Sequence, residues 1–157
     1  IFNQANLKEA IFTNADLTNT GFHQADLSEA NFYQAILKKA NLPFSNLTDT
    51  NFAEANLDFS YLYGANLTNT NFTGATLQGI NLTTAILVET NFIGANLIKA
   101  NLSNAQLFNV NLTYANLSQS NLTQTRFQNV NLTYTNLSQT NINEAILVNT
   151  NLAQSLF

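Results

Sequence analysis

Apolar side chains return along this chain every five residues. From Phe2 to Phe157 each fifth position holds Leu (22 times), Phe (9 times) or Ile (Ile142 alone), with no polar interruption over 32 positions. These are the centre positions. Two residues before each centre stands a small one: among 31 there are 16 Ala, 8 Thr and 4 Ser, with Ile80, Val110 and Val130 as the exceptions. Every charged residue avoids both positions, which places both inside the molecule. A helix cannot generate the pattern. At about 100° per residue a step of five turns a side chain by roughly 140°, and the leucines would be scattered around the axis. Small-in, polar-out, Leu-in is the alternation of a short strand. The two residues that follow have no inward partner and must form a corner.

The corner residues have turn chemistry. The second corner position holds Gly64, Gly74, Gly79 and Gly94, and also Asn14, Asn19, Asn69, Asn104, Asn109, Asn129 and Asn149. Gly and Asn accept the positive φ that a type II turn requires at its third residue, so type II turns are expected at these corners, with other types open elsewhere. The one proline, Pro43, sits at a first corner position, where its fixed φ suits the turn.

A second period of twenty overlies the first. Residues 111–120 read NLTYANLSQS and residues 131–140 read NLTYTNLSQT. Four strand-plus-corner units at right angles close a square of twenty residues, and the next square stacks on it. Residues twenty apart then become vertical neighbours. Phe12, Phe32, Phe52, Phe72 and Phe92 form one such column, continued by Leu112, Leu132 and Leu152. Eight coils at about 4.8 Å each give a stack roughly 35–40 Å tall.

The pattern A-(D/N)-L-x-x, kept over the whole chain, resembles that of the pentapeptide repeat family. The resemblance implies an all-β fold, a right-handed quadrilateral parallel β-helix, here a solenoid of about eight 20-residue coils spanning residues 1–157 as one domain. The chain opens in mid-repeat without Met, so it is expected to be a piece of a longer protein. The position before the centre is Asn 19 times, with Asp16 and Asp26 as equivalents. It departs from the pattern at Ile11, Gly21, Ile36, Tyr61, Thr76, Ile86, Gln106, Arg126, Ile146 and Leu156. That position faces outward, so the departures should be tolerated.

Composition narrows the function. Net charge is -4 and cysteine is absent. An acidic balance without a basic stripe argues against direct nucleic-acid binding. No apolar run reaches the ~18–20 residues of a membrane span, although the parent protein could be membrane-anchored. His23 is the only histidine, so no metal, cofactor or catalytic set is expected. A carboxylate pair such as Glu54 with Asp58 finds no water-excluding pocket on a flat convex wall. The Asn column Asn31, Asn51, Asn71, Asn91, Asn111, Asn131 and Asn151 should bond vertically or tie down turns. The ten N-x-S/T sequons follow from the repeat itself.

Outward aromatics are the best candidate site. Pro43, Phe44, Phe59, Tyr61 and Tyr63 fall on one wall and its two corners, on neighbouring coils, with Pro43 and Tyr63 expected to stack; exposed apolar patches mark partner sites. Val88, Phe108 and Val148, with Ile93 and Ile98 nearby, form a weaker candidate. The favoured reading is a non-catalytic scaffold for an as yet unnamed protein partner, or a spacer between domains, in keeping with the structural and regulatory roles that the resemblance to bacterial, especially cyanobacterial, members implies. End-to-end homodimers would cover open coil edges. The alternative is a DNA-mimicking regulator of a type II topoisomerase such as gyrase, which the family resemblance brings in. A duplex of equal height carries roughly 20 negative charges at one per ~1.7 Å, far more than this chain. Ice binding through outward Asn/Thr rows is disfavoured because Tyr33 and Ile93 break the rows.

Overall fold

The computed structural model describes all residues, Ile1–Phe157. The chain coils as a parallel solenoid. Every coil meets the next at a spacing of twenty residues, as in the bridges Asn31↔Asn51, Asn51↔Asn71 and Asn71↔Asn91. Each coil has four walls and four corners. We number them in chain order: the first wall carries Phe2 and every twentieth residue after it, the second Leu7, the third Phe12 and the fourth Leu17, each wall followed by the corner of the same number.

The centre positions fill the shaft. Phe32, Phe52, Phe72 and Phe92 are fully buried, as are Leu112 and Leu132, while Phe12 and Leu152, in the first and last coils, are half-buried. The phenyl rings stack face to face with centroids 4.8 Å apart for Phe12–Phe32, 4.7 Å for Phe32–Phe52, 5.1 Å for Phe52–Phe72 and 4.9 Å for Phe72–Phe92. Strand spacing sets this distance, because a parallel ladder repeats at about 4.8 Å. The small residues of the inner coils are buried beside them, and most of the threonines among them pair their hydroxyls. Thr50, Thr70, Thr90, Thr125 and Thr135 each donate to a centre carbonyl of the coil below, for example Thr70 Oγ1 to Leu47 O at 2.8 Å.

A regular five-residue unit satisfies all of its N–H groups, and the unit around Phe72 shows how. Asn71 N donates down to Thr50 O (3.0 Å), Phe72 N up to Asn91 O (2.7 Å), Gly74 N up to Ile93 O (2.9 Å), and Ala75 N closes the corner onto Phe72 O (3.0 Å). Only the N–H of the first corner residue, Thr73, lacks a backbone acceptor. Asn71 Oδ1 takes it at 3.0 Å, an Asx turn. A buried or half-buried N–H left unpaired is costly, and this is the physical reason for Asn in the repeat. The same bond is made by every Asn and Asp of that position except Asn41. Asn41 precedes the Pro43 corner, which has no N–H to give. Where Asn is missing at Gly21 and Thr76, a side chain from the coil below substitutes: Asn3 Oδ1 accepts from His23 N (3.0 Å) and Asp58 Oδ1 from Gln78 N (2.9 Å).

Turn-tying, more than vertical bonding, is therefore the role of the Asn columns. In the third wall, Asn–Asn bonds between coils link only Asn51 to Asn31 (3.2 Å) and Asn71 to Asn51 (3.4 Å), and Asn131 donates instead to Thr113 Oγ1 of the coil below (3.0 Å); the Asn–Asn ladder does not continue through Asn151.

The corners go further than the glycine and asparagine positions foretell. All second corner residues take a left-handed φ, from 50° at Asn149 to 67° at Gly64, including Glu, Gln, Lys, Phe, Tyr and Thr. With the closing bond onto the centre carbonyl, the φ signs are those of type II turns. An L-residue there costs about 1 kcal/mol or more. The vertical bond from its N–H, such as Gln34 N to Ala53 O at 3.1 Å, holds it in place.

Four corners break the rule. At 87–90, 107–110, 127–130 and 147–150 the closing bond is absent, and the wall runs on into the corner as strands β1 (Ile86–Val88), β2 (Gln106–Phe108), β3 (Arg126–Gln128) and β4 (Ile146–Val148). They form one parallel sheet in the order β1-β2-β3-β4, with Val88 opposite Phe108 and Phe108 opposite Gln128. These are four stacked second-wall positions without Asn. A single missing Asn, as at Ile36 between Asp16 and Asn56, leaves the turn closed. Opening a corner moves its N–H onto the neighbouring coil, so the open form needs neighbours that are open too.

Candidate protein-interaction face

Five residues come together on the first wall and the corners beside it, as the twenty-residue spacing requires. Phe59 is at the fourth corner, Tyr61 on the first wall, and Pro43, Phe44 and Tyr63 at the first corner. Each outward phenylalanine leans over a glycine of the next coil. Ring carbons of Phe44 lie 2.5 Å from where a Cβ on Gly64 would stand, and those of Phe59 2.7 and 2.9 Å from the same point on Gly79. Glycine is needed at both positions because the ring occupies the space of a side chain. Tyr63 meets Phe44 edge to face at 5.2 Å (86°) and His23 meets Phe44 in the same manner at 6.1 Å (81°), the geometry aromatic quadrupoles favour. Pro43 is buried beneath this group. Pro43 and Tyr63 stand at the same corner on successive coils, and Tyr63 also meets Phe44.

The rings stay largely in solvent even so. Phe44 is 53% exposed, Phe59 48%, Tyr61 48% and Tyr63 36%. Leaning on glycine accounts for the position of the two phenylalanines but leaves about half of each ring uncovered, and Tyr61 interrupts a wall whose neighbouring positions are Asn41 and Asn81. His23, a lone histidine for which no metal or catalytic role was expected, joins the cluster against Phe44. Its signal was there: His23, Pro43 and Tyr63 share one twenty-residue column.

The weaker apolar candidate is dispersed. Val88 and Phe108 lie half-buried in β1 and β2, Val148 is 47% exposed in β4, and Ile93 and Ile98 are half-buried on separate corners. A second aromatic feature stands on the third corner, where Tyr114 and Tyr134 stack at 4.9 Å (12°).

The walls are not uniformly flat. A shallow groove of about 630 Å³ runs between the first corner and the second wall, lined by Asn104, Gln106, Gln124, Arg126, Glu144 and Ile146. Gln106, Arg126 and Ile146 begin β2, β3 and β4, so the groove lies at the start of the strands that run into the open corners. Its signal in the sequence was the loss of Asn at four successive positions of one column. Gln124 Nε2 donates to Glu144 Oε2 at 2.7 Å.

Electrostatics elsewhere serve the turns. Thr18 donates its hydroxyl (2.7 Å) and its N–H (3.0 Å) to Asp16, holding that carboxyl below the usual range. The Ser28 hydroxyl and N–H, then Asn46 and Lys8, do the same for Asp26. Lys8 pairs with Glu29 at 3.0 Å, which raises its pKa, with Glu9 adding to the effect. No helix of the structure is long and apolar enough to cross a membrane.

Among curated proteins, none is significantly similar to this chain. Solved structures are. The chain is 16% identical to QnrB1, a plasmid-mediated fluoroquinolone resistance protein, with a TM-score of 0.75 over 96% of this chain and 76% of that one, a likeness of fold. HetL, a pentapeptide repeat protein involved in heterocyst differentiation regulation in the cyanobacterium Nostoc sp. strain PCC 7120, is 28% identical over 96% of this chain and 76% of its own, with a TM-score of 0.45. Rfr23, from the cyanobacterium Cyanothece 51142, is 29% identical over 71% and 63%, with a TM-score of 0.34. Family models match from residue 15 to the last: a pentapeptide repeat region at 15–92, and pentapeptide repeats in eight copies at 85–124 and 120–157. With its five-residue unit, its coil of twenty and these matches, the chain belongs to the pentapeptide repeat family and folds as a right-handed quadrilateral β-helix.

Proposed function

We propose that this chain is a non-catalytic rod that docks a protein partner on its first wall. The observation that carries the reading is the cluster of Phe44, Phe59, Tyr61 and Tyr63, each between about one-third and one-half exposed on adjacent coils. Aromatic side chains are enriched at the buried centres of interfaces, and a rigid wall loses little entropy when it is covered. The walls carry the partner surface, and the stacked coils hold it at a fixed height from whatever lies beyond either end.

The test is capture with purified chain, comparing native protein with Phe59→Ala/Tyr61→Ala and with Tyr114→Ala/Tyr134→Ala on the third corner. A partner identified by mass spectrometry and rebuilt from purified components should be lost with the first variant and kept with the second. Equal binding by both variants overturns the assignment of the face.

Regulation of a topoisomerase by DNA mimicry has less support. Above residue 100 the rod carries only Arg126 and Glu144 as charged groups, so that length lacks the regular anionic rows of a duplex. Unchanged gyrase supercoiling at micromolar concentrations of the protein would rule it out.

A further inference from the structure

Charge on this rod is sorted by edge. Five of the nine acids, Glu9, Asp26, Glu29, Asp49 and Glu89, lie on the second wall or second corner. Three of the five cations, Lys38, Lys39 and Lys99, lie on the fourth corner, diagonally across the square. All three are exposed, and the ion pairs of the structure both belong to Lys8 on the opposite edge. Two acids stand at the lysine edge, Asp58 on the same corner one coil above Lys38 and Asp16 on the fourth wall, and both are engaged in turns: Asp58 accepts from Gln78 N at 2.9 Å, and Asp16 from the hydroxyl and N–H of Thr18. A chain of net charge -4 thus presents one edge with free positive groups, and that edge borders the aromatic wall. Within a single column the order is Lys39, Phe59, Gly79, Lys99.

We propose that this edge and the adjoining Tyr61 wall take an acidic partner segment that carries an apolar side chain between its carboxylates. The inference rests on the docking face proposed above and adds the chemistry of its occupant. At about 4.8 Å per coil, Lys39 and Lys99 are about 14 Å apart along the rod, the length of about four residues of extended chain. Carboxylates at the two ends of such a segment reach the two ammonium groups. The side chain between them covers Phe59 where its ring stands free of Gly79. The uncharged first wall of Asn41, Tyr61 and Asn81 offers hydrogen bonds and an aromatic face but no repulsion. Complementary charge of this kind sets partner choice and association rate more than raw affinity.

The experiment is an amide-shift titration of the isotopically labelled chain with three capped heptapeptides: Glu-Glu-Ala-Phe-Ala-Glu-Glu, its charge-reversed form Lys-Lys-Ala-Phe-Ala-Lys-Lys, and Glu-Glu-Ala-Ala-Ala-Glu-Glu. The first should shift Lys39, Phe59, Tyr61 and Gly79, with saturable binding below about 5 mM. The other two should bind at least about fivefold more weakly, and Lys39→Glu/Lys99→Glu should weaken the first by a similar factor, as should raised salt. Equal binding of the acidic and basic peptides at these residues overturns the acidic assignment while leaving the docking face in place. No shift, or shifts confined to Tyr114 and Tyr134, overturns the proposal. The capture experiment with Phe59→Ala/Tyr61→Ala judges the face separately.

Discussion

The ring of Phe44 stands where a side chain on Gly64 would have to be, 2.5 Å from its missing Cβ. The two residues are twenty apart and occupy the same corner on successive coils. Gly94 has the same left-handed φ, 65° against 67°, but nothing within 4 Å of its Cβ position. The pair separates backbone strain from crowding. Gly94→Ala should cost about 1 kcal/mol, the price of a left-handed L-residue. Gly64→Ala should cost more, and adding Phe44→Ala should bring it back toward the Gly94 value. Denaturant unfolding of the three variants measures this. Equal losses for both single substitutions would show that the Phe44 ring simply swings aside.

The Asx bond gives a contrast within one residue type. Asn71→Ala strands the N–H of Thr73 and should lose about 1–2 kcal/mol, the scale of a lost cap. Asn41→Ala strands nothing, because Pro43 has no N–H, and should change stability by less than about 0.5 kcal/mol. Similar losses at both positions would mean that Asn acts through some other contact.

Acid should weaken the first coils through Asp16 and Asp26. Both carboxyls are held below their ordinary value by hydrogen bonds to their ionised form. A depressed folded-state value contributes stability that is complete above the ordinary carboxylate range, about 3.9, and is lost as pH falls through the depressed value. Asp16→Asn/Asp26→Asn keeps an oxygen acceptor for Thr18 and Ser28 but removes the titration. Its melting temperature should vary less than that of the native protein below about pH 4. Parallel pH profiles would show that other carboxylates dominate.

Restoring the missing Asn should close the opened corners. Gln106→Asn/Arg126→Asn gives Phe108 and Gln128 the side-chain acceptor that the other corners have. Hydrogen exchange at Val110 and Val130 should slow, since their N–H groups gain the closing bond onto Leu107 and Phe127. Exchange rates unchanged from native would mean that the four-coil sheet is held open by Val88 and Phe108 packing and not by the lack of Asn.

Much of this structure was legible in the chain because the centre positions are unbroken. A leucine or phenylalanine at each fifth place admits one interior, and the Phe12-to-Phe92 column fixes the coil at twenty. Corners were only half legible. Intrinsic preference points to Gly and Asn for positive φ, yet Glu54, Lys99 and Tyr114 adopt it as well, since each N–H must meet a carbonyl of the coil above. The part played by Asn was hidden for a related reason. Which N–H of the five lacks a backbone acceptor is known only once the vertical bonds are counted. The groove at Arg126 escaped notice because departures at Ile86, Gln106, Arg126 and Ile146 look like tolerable surface variation one at a time. Their effect is collective. The aromatic face was visible as a cluster, but its dependence on Gly64 and Gly79 was not.

The lean of the corner side chains gives the rod a direction. Phe44 reaches toward Gly64, Phe59 toward Gly79 and Glu54 toward Gly74; in each case a side chain of the storey nearer the amino terminus lies against the one after it, closely for the two phenyl rings. What a corner can accept is therefore dictated from beneath. Enlarging a residue at such a place restricts its successor twenty positions on, just as enlarging Gly64 meets Phe44 beneath it. Substitutions that compensate one another should accordingly pair residues twenty apart in these columns, storey by storey.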